Sequence, residues 1–215
     1  MHECVAAIAA CGVSPIVRIP DGQHWMIKRA LDAGAHGIIV PLLSTVEEAK
    51  DIAKFTKFPP EGNRGLGSAL SMEKFISGPT GQAKEVTMAE YFSEANSNLV
   101  TIVQIETKTA LEQVHEIAAV DGIDVLFVGP TDLGNSIGYP SILNNGIFAP
   151  ELNKAILKIR DAANRAGKHS GIYTDSGEAA RKYADAGFRV INAANDFTTL
   201  KKGFASNLAE ASTIA

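Results

Sequence analysis

Five polar residues stand at or within two residues of the end of short apolar runs. They are Arg18, Gln104, Glu106, Asp132 and Tyr173. Unbroken apolar runs of this kind are typical of strands that are buried on both faces of a parallel sheet. The carboxyl ends of parallel strands share one edge, where α/β enzymes place their chemistry. We therefore expect these five side chains to converge on one site.

Glu106 and Asp132 follow consecutive runs, so their strands are predicted to be neighbours about 4.8 Å apart. Two carboxylates at that spacing repel each other, and a divalent cation between them removes the repulsion. Two hard oxygen ligands, with water or substrate completing the shell, suit Mg²⁺ most naturally and also fit Mn²⁺ or Co²⁺. The pair is therefore predicted to bind a divalent metal.

Arg18 and Gln104 extend this prediction to a substrate and are the predicted catalytic residues. The planar guanidinium of Arg18 fits a carboxylate, and Gln104 could donate to a ketone oxygen or hold a metal-bound water. A cation beside an arginine is what the enolate of a 2-keto acid requires. Simpler interpretations stay open at this point. Asp132 could only cap a helix, Arg18 and Glu106 could form a buried ion pair, and Gln104 could be a core hydrogen-bonding group.

Short apolar runs alternate with helix-period segments along the whole chain, which is typical of a parallel α/β sheet. The runs are SPIVRIP (14–20), GIIVP (37–41), LVTIVQIE (99–106), DVLFVGP (124–130), SGIYT (170–174) and FRVINA (188–193). Helices are predicted over MHECVAAIAAC at the start and over about 23–33, 44–55, 108–119, 150–166, 176–186 and 196–210. Thr107 and Asp175 fit helix entry positions, and three Ala-Gly pairs fit helix ends.

The six runs predict a (β/α)8 barrel that lacks its first two βα units, since a closed barrel has eight strands and about 250 residues. Residues 1–215 would then form one incomplete barrel domain. A doubly wound open sheet of six strands is the competing fold. Two irregular stretches interrupt the rhythm, and the longer, 58–86, contains the glycine-rich RGLGS (64–68), which we interpret as a loop over the strand ends.

Composition excludes several partners. The chain has 215 residues, 46% of them hydrophobic, and a formal net charge of -4, which offers no basic surface for nucleic acid or an anionic membrane. No apolar stretch is long enough to span a bilayer. Cys4 and Cys11 are predicted to be reduced, small core residues of a cytoplasmic protein.

Five motifs in a fixed order resemble the HpcH/HpaI aldolase family, which contains class II 2-keto-3-deoxy acid aldolases such as 4-hydroxy-2-oxoheptanedioate aldolase. The motifs are PIVRIP, GAHGIIVPLL, PPEGNRGLGSAL, VQIET and FVGPTDLGNSIG. Macrophomate synthase and citrate lyase β-type proteins are similar too. The resemblance implies reversible cleavage of a 4-hydroxy-2-keto acid to pyruvate and an aldehyde. It also implies a homo-oligomer, a trimer or hexamer, with an exchanged C-terminal helix.

The resemblance also implies roles for individual residues. Glu106 and Asp132 would bind the metal, and the substrate would be bound by Arg18, Gln104, Tyr173 and the backbone around Gly129 and Thr131.

One part of the family pattern has no counterpart here, because the family's acid–base His and Asp lie on strands that would precede Met1. We therefore expect the enolate-stabilising half of the site to be present and aldolase activity of this chain to be impaired. Slow decarboxylation of oxaloacetate would remain. The alternatives are a decarboxylase or macrophomate synthase-like enzyme, and a catalytically silent homologue that binds keto acids or serves as an assembly subunit.

Overall fold

The computed structural model describes residues 1–71, 86–144 and 146–212. The strands are β1 (Ile16–Arg18), β2 (Gly37–Val40), β3 (Val100–Ile105), β4 (Val125–Val128), β5 (His169–Tyr173) and β6 (Val190–Asn192). The helices are α1 (His2–Ala10), α2 (His24–Asp32), α3 (Val46–Thr56), α4 (Met88–Asn98), α5 (Lys108–Glu112), α6 (Val114–Ala118), α7 (Pro130–Ser136), α8 (Pro150–Arg165), α9 (Gly177–Asp185) and α10 (Asp196–Ser212). Short 3₁₀ turns cover Ala69–Ser71 and Ser141–Asn144.

The six strands form one parallel sheet in the order β1-β2-β3-β4-β5-β6, so each strand pairs with the next along the chain. A doubly wound sheet reverses its strand order at a switch point, and this sheet does not, so the competing fold is wrong. The sheet is curled, because residues of β1 and β6, its two edges, line the same cavity. This is a half-barrel of the (β/α)8 type, as the six runs predict.

The two faces of the sheet carry different residues because side chains alternate along each strand. On β3, Val103 and Ile105 belong to the large core between the sheet and the helices. Ile102 belongs instead to a small inner cluster with Val125 and Phe127 on the concave side. The convex face is therefore a packed core, and the concave face opens into the cavity.

Most predicted helices are confirmed to within two residues, and the differences have local causes. Thr107 caps α5 as predicted, whereas α9 is capped by Ser176, one residue after the predicted Asp175. The predicted helix over 108–119 is two short helices that meet at Gln113. Two helices, α4 and α7, were not predicted. Of the long irregular stretch, residues 72–85 lie outside the described part of the chain, and α4 follows it behind a capping box of Thr87 and Glu90.

The prediction that Cys4 and Cys11 are core residues is wrong. Both thiols are free and exposed. Helix α1 buries only Val5 and Ala9, which lie four residues apart on one narrow face, and neither cysteine lies on that face. Among the helices that the structure describes, none has the length and apolarity needed to cross a lipid bilayer.

Arg64, from the glycine-rich segment, is a buried structural residue, with its side chain only 1% exposed. Its Nη2 pairs with Asp32 Oδ1 at 3.2 Å, and its Nη1 donates to the Tyr91 hydroxyl at 3.0 Å. The guanidinium also stacks 4.5 Å above the ring of Phe58. Arg64 therefore anchors its segment between α2 and α4. Ser68 Oγ also donates to the carbonyl of Asp32, the last residue of α2 before the chain enters β2. Residues 64–68 thus lie toward the amino ends of the strands, and their interpretation as a loop over the carboxyl ends is wrong.

Replacing Asp32 by asparagine is expected to lower the free energy of unfolding by about 3 kcal/mol, because it leaves the Arg64 charge buried without a counter-ion. Urea unfolding followed by circular dichroism measures the change. Asp185→Asn is the matched control, since it breaks an exposed ion pair with Arg181 and should cost no more than about 0.5 kcal/mol. Equal effects of the two substitutions would contradict the role assigned to Arg64.

Candidate active site

The seven residues predicted for the site all line one cavity of about 550 Å³ on the concave side, at the carboxyl ends of the strands. They are Arg18, Gln104, Glu106, Gly129, Thr131, Asp132 and Tyr173. The curl of the sheet brings them together, since they come from β1, β3 and β5, from the residues directly after β3 and β4, and from the first turn of α7. Their chemical roles stay predictions, but their convergence is a property of the structure.

Glu106 lies at the centre of a hydrogen-bonded line that crosses the sheet. Its side chain is buried, and its Oε1 accepts the backbone N–H of Leu42 at 2.8 Å. Its Oε2 accepts from Gln104 Nε2 at 2.9 Å, and Gln104 Oε1 in turn accepts from Arg18 Nε at 2.6 Å. Arg18 thus reaches Glu106 through the amide of Gln104. Gln104 thus hydrogen-bonds to both charged neighbours, and its catalytic role stays a prediction.

Burial raises the pKa of Glu106 above its ordinary value of 4.5. The Leu42 N–H lowers this pKa, the negative charge of Asp132 raises it, and the positive charge of Arg18 lowers it. A carboxyl whose pKa is higher in the folded protein favours folding while it is protonated. That contribution to stability is lost as the pH rises from the pKa of the unfolded chain through the raised pKa of the folded protein. Ionisation of Glu106 is therefore energetically unfavourable in this site, and a cation beside the carboxylate would stabilise the ionised form.

Asp132 does not cap a helix, so this simpler interpretation of the residue is wrong. Helix α7 begins after Gly129 as its N-cap, Pro130 is its first residue, and this fully described helix has no side-chain cap. Asp132 is the third residue of α7, is exposed, and lies close enough to Glu106 for its charge to raise the pKa of that carboxyl. The Asp132 carboxylate is therefore available to the cavity.

Gly129 is required by the close approach of β4 to Glu106. A Cβ atom on this residue would lie 2.1 Å from Glu106 Oε2 and 3.2 Å from Gln104 Nε2. The first distance is far below any van der Waals contact, so no other residue fits without moving the carboxylate. The absence of a side chain here lets the Glu106 carboxylate pack directly against the backbone that leads from β4 to Thr131 and Asp132.

Tyr173 and Asn192 form the other wall of the cavity. The Tyr173 hydroxyl accepts from Asn195 Nδ2 at 2.9 Å, and Asn195 Oδ1 accepts the N–H of Thr198 at the start of α10. Asn192, at the end of β6, also lines the cavity, and its buried Oδ1 has no hydrogen-bond partner among the described residues. In the sequence Asn192 stands at the polar end of an apolar run, so its position at the site was predictable. No sequence pattern indicates that its amide oxygen lacks a hydrogen-bond partner among the described residues.

The donor set fits a divalent metal such as Mg²⁺. Two carboxylates face one cavity, one of them strained by burial and by the other's charge. No group of three or more His, Cys, Asp or Glu that could hold a metal occurs within residues 1–71, 86–144 and 146–212. A hard cation at Glu106 and Asp132 would take its remaining ligands from water or substrate, and metal binding by this pair stays a prediction.

Histidine is missing from the described lining of this cavity. His24 is near the carboxyl end of β1, but its ring stacks on Phe55 with centroids 4.8 Å apart and lines a neighbouring cavity of about 520 Å³. The proton-transferring group that the resemblance implies is therefore not supplied by His24.

Comparisons with known proteins place the chain in one family. The family model described as HpcH/HpaI aldolase/citrate lyase matches residues 1–202. A hydroxypyruvate/pyruvate aldolase of Roseovarius nubinhibens is 32% identical over 196 residues, which cover 91% of this chain and 71% of the relative.

Two solved structures are similar as well. An HpcH/HpaI aldolase/citrate lyase family protein from Burkholderia cenocepacia J2315 has a TM-score of 0.83 and 31% identity, over 98% of this chain and 80% of that one. Macrophomate synthase has a TM-score of 0.78 and 29% identity, over 94% of this chain and 67% of that one.

Gly129→Ala is expected to lower the free energy of unfolding by about 1–3 kcal/mol, because the new methyl group must displace Glu106 or β4. Gly177→Ala is the control, since a Cβ there meets no atom within 4 Å, and its effect should stay within about 1 kcal/mol. Urea unfolding measures both variants. A Gly129→Ala protein as stable as the Gly177→Ala protein would show that the carboxylate is not confined as described.

Proposed function

The chain belongs to the HpcH/HpaI aldolase/citrate lyase family, and on that basis we propose a divalent-metal-dependent aldolase that cleaves 4-hydroxy-2-keto acids reversibly to pyruvate and an aldehyde. The observation that carries the proposal is the buried Glu106 beside Asp132, in a cavity that also holds Arg18 and Gln104. The similarity to a hydroxypyruvate/pyruvate aldolase supports the substrate class.

Glu106 and Asp132 would hold the metal, with Mg²⁺ the preferred ion and Mn²⁺ or Co²⁺ the alternatives. When bound, the cation supplies positive charge for the enolate oxygen that develops on the pyruvyl fragment. Gly129 lets the Glu106 carboxylate sit against the chain that carries Asp132, because any side chain at this position would displace it.

Arg18 would bind the carboxylate of the keto acid. Its Nε is held by Gln104 at 2.6 Å, which fixes the plane of the guanidinium and leaves the terminal nitrogens for the substrate. Gln104 Nε2 carries two hydrogens, of which one goes to Glu106 and the other can be offered to the ketone oxygen. The backbone at Gly129 and Thr131 and the ring of Tyr173 would complete the substrate site.

Aldol cleavage breaks the C3–C4 bond of the keto acid, sends its electrons into the carbonyl and removes the proton of the C4 hydroxyl. That proton needs an acceptor, and the described lining of the cavity has no histidine to provide one. A general base contributes about 10²- to 10⁴-fold in rate. We therefore propose that this polypeptide by itself is slow in aldol cleavage.

Decarboxylation of oxaloacetate is the second candidate activity, because loss of CO₂ forms the same enolate with no base to remove a hydroxyl proton. The similarity to macrophomate synthase is compatible with this alternative. A catalytically silent homologue would bind keto acid and metal but turn over neither substrate, so the two assays below distinguish all three.

Pyruvate release from 4-hydroxy-2-keto acids and from oxaloacetate, measured with Mg²⁺, Mn²⁺, Co²⁺ or a chelator, tests the proposal. Glu106→Gln and Asp132→Asn are each expected to reduce metal-dependent turnover by about 100-fold or more, as loss of other transition-state charge stabilisers does. Asp185→Asn, the same chemical change on the surface of α9, should leave turnover unchanged. Unchanged turnover in Glu106→Gln would exclude it as a metal ligand.

A homo-oligomer, trimeric or hexameric, is also part of the proposal. Helix α10 buries none of its described residues, and four large apolar side chains form one stripe along it. They are Phe197, Leu200, Phe204 and Leu208, each between 59% and 72% exposed. We propose that this stripe packs on a second copy of the chain, as an exchanged C-terminal helix would.

The free, exposed thiols of Cys4 and Cys11 support a cytoplasmic location.

Phe204→Glu is expected to dissociate the oligomer, because it buries a charge in the proposed contact. Lys202→Glu places the same residue on the opposite side of α10 and should leave the assembly intact. Sedimentation velocity gives the mass of each protein. A monomeric wild type, or a Phe204→Glu protein with the wild-type mass, would contradict the assignment of the stripe.

A further inference from the structure

Leu42 has an unusual backbone for its residue type, with a φ of +56°. In this left-handed region the Cβ atom of an ordinary residue crowds the backbone, so glycine and asparagine are the usual occupants. A leucine held in this conformation must be constrained by what surrounds it, and such constraints concentrate at functional sites.

The conformation aims the Leu42 N–H into the site. This N–H donates to Glu106 Oε1 at 2.8 Å. The leucine side chain does not line the cavity that holds Glu106; it is 61% exposed and lines the neighbouring cavity with His24 and Phe55. Only the backbone of Leu42 therefore serves the carboxylate.

The turn that contains Leu42 is held on its carboxyl side by two elements. Thr107, which caps α5 directly after Glu106, donates its hydroxyl to the Leu43 carbonyl at 3.0 Å. The N–H of Ser44 donates to Glu48 Oε2 at 2.7 Å, next to the capping box that starts α3. The turn after β2 is thus tied to the end of β3 and to the start of α3, which leaves the Leu42 peptide little freedom to rotate.

We propose that Leu42 is a positioning residue: its left-handed backbone aims the N–H that holds Glu106 Oε1 and so fixes the orientation in which the carboxylate is presented to the cation. The inference deepens the metal site proposed above and rests on it. The sign of φ at residue 42, rather than the leucine side chain, controls how the Glu106 carboxylate is oriented as a metal ligand.

Two substitutions at this position distinguish the effect of the backbone conformation from the effect of the side chain. Leu42→Gly deletes the whole side chain but adopts positive φ freely, so the N–H can stay on Glu106. Leu42→Val keeps an apolar side chain, but a β-branched residue strongly disfavours positive φ, so the peptide is expected to turn and withdraw the N–H. If Leu42 acted through its side chain, glycine would be the more harmful change; the proposal predicts the opposite.

Mn²⁺ titration followed by electron paramagnetic resonance gives the dissociation constant of each full-length variant without any assay of turnover. Leu42→Val is expected to weaken Mn²⁺ binding by about 10- to 100-fold, the usual effect of losing a partner of a metal ligand. Leu42→Gly should bind within about threefold of the wild type, since glycine keeps the conformation. Leu66→Val, at an exposed loop leucine, controls for the leucine-to-valine change itself and should have no effect.

Amide hydrogen exchange on the metal-free wild type provides a measurement that depends on no variant at position 42. The Leu42 N–H should exchange slowly although it lies in a turn, and its proton shift should move in Glu106→Gln. Unaltered Mn²⁺ affinity in a folded Leu42→Val, or fast exchange of the Leu42 amide, would overturn the inference and leave the proposed metal site standing. If the wild type bound no Mn²⁺ while the amide was protected, the positioning bond would hold and the proposed metal site would fall.

Discussion

Burial of the Glu106 carboxylate is the constraint on which the rest of the site depends. A charge that is 1% exposed at the end of a parallel strand must be surrounded by donors, or its pKa rises until the group is neutral. The chain supplies one backbone N–H from the neighbouring turn and one amide from the same strand, and it relays the charge of Arg18 through that amide. It then adds Asp132 nearby, which works against ionisation.

The half-barrel can bury Glu106 among polar groups because one face of its sheet forms the hydrophobic core and the other lines the cavity. Outward-facing residues of β3, such as Val103, pack against the helices and stabilise the fold. The inward-facing series from Ile102 through Gln104 to Glu106 runs from a small apolar cluster to a charged end. Side-chain alternation therefore places the polar groups where they need not interrupt the core, and the curl of the sheet turns a row of strand ends into a cavity.

Much of this organisation was predictable from the sequence, and the failures have physical reasons. The six strands and the convergence of Arg18, Glu106 and Asp132 follow from apolar runs with polar ends. This pattern can be recognised in the sequence without knowledge of the tertiary structure. Helix α7 was missed because its seven residues, PTDLGNS, show no apolar period, and it is held by packing of Leu133 and by its proline start. The φ of Leu42 could not be predicted, since leucine has no preference for that region and the turn is held in part by contacts with Glu106 and Thr107, more than sixty positions away.

A comparison of the two buried charges distinguishes a structural from a functional role. Arg64 is as deeply buried as Glu106, but Asp32, the Tyr91 hydroxyl and the Phe58 ring surround it, so its charge is compensated within the chain. Glu106 is compensated only in part: its cation is one amide away, and its carboxylate neighbour adds repulsion. A fold that can neutralise one buried charge with a direct partner could have done so for the other. That Glu106 is instead left beside a second acid, in a cavity whose guanidinium is one amide away, supports the proposal that a cation from outside the chain completes this group.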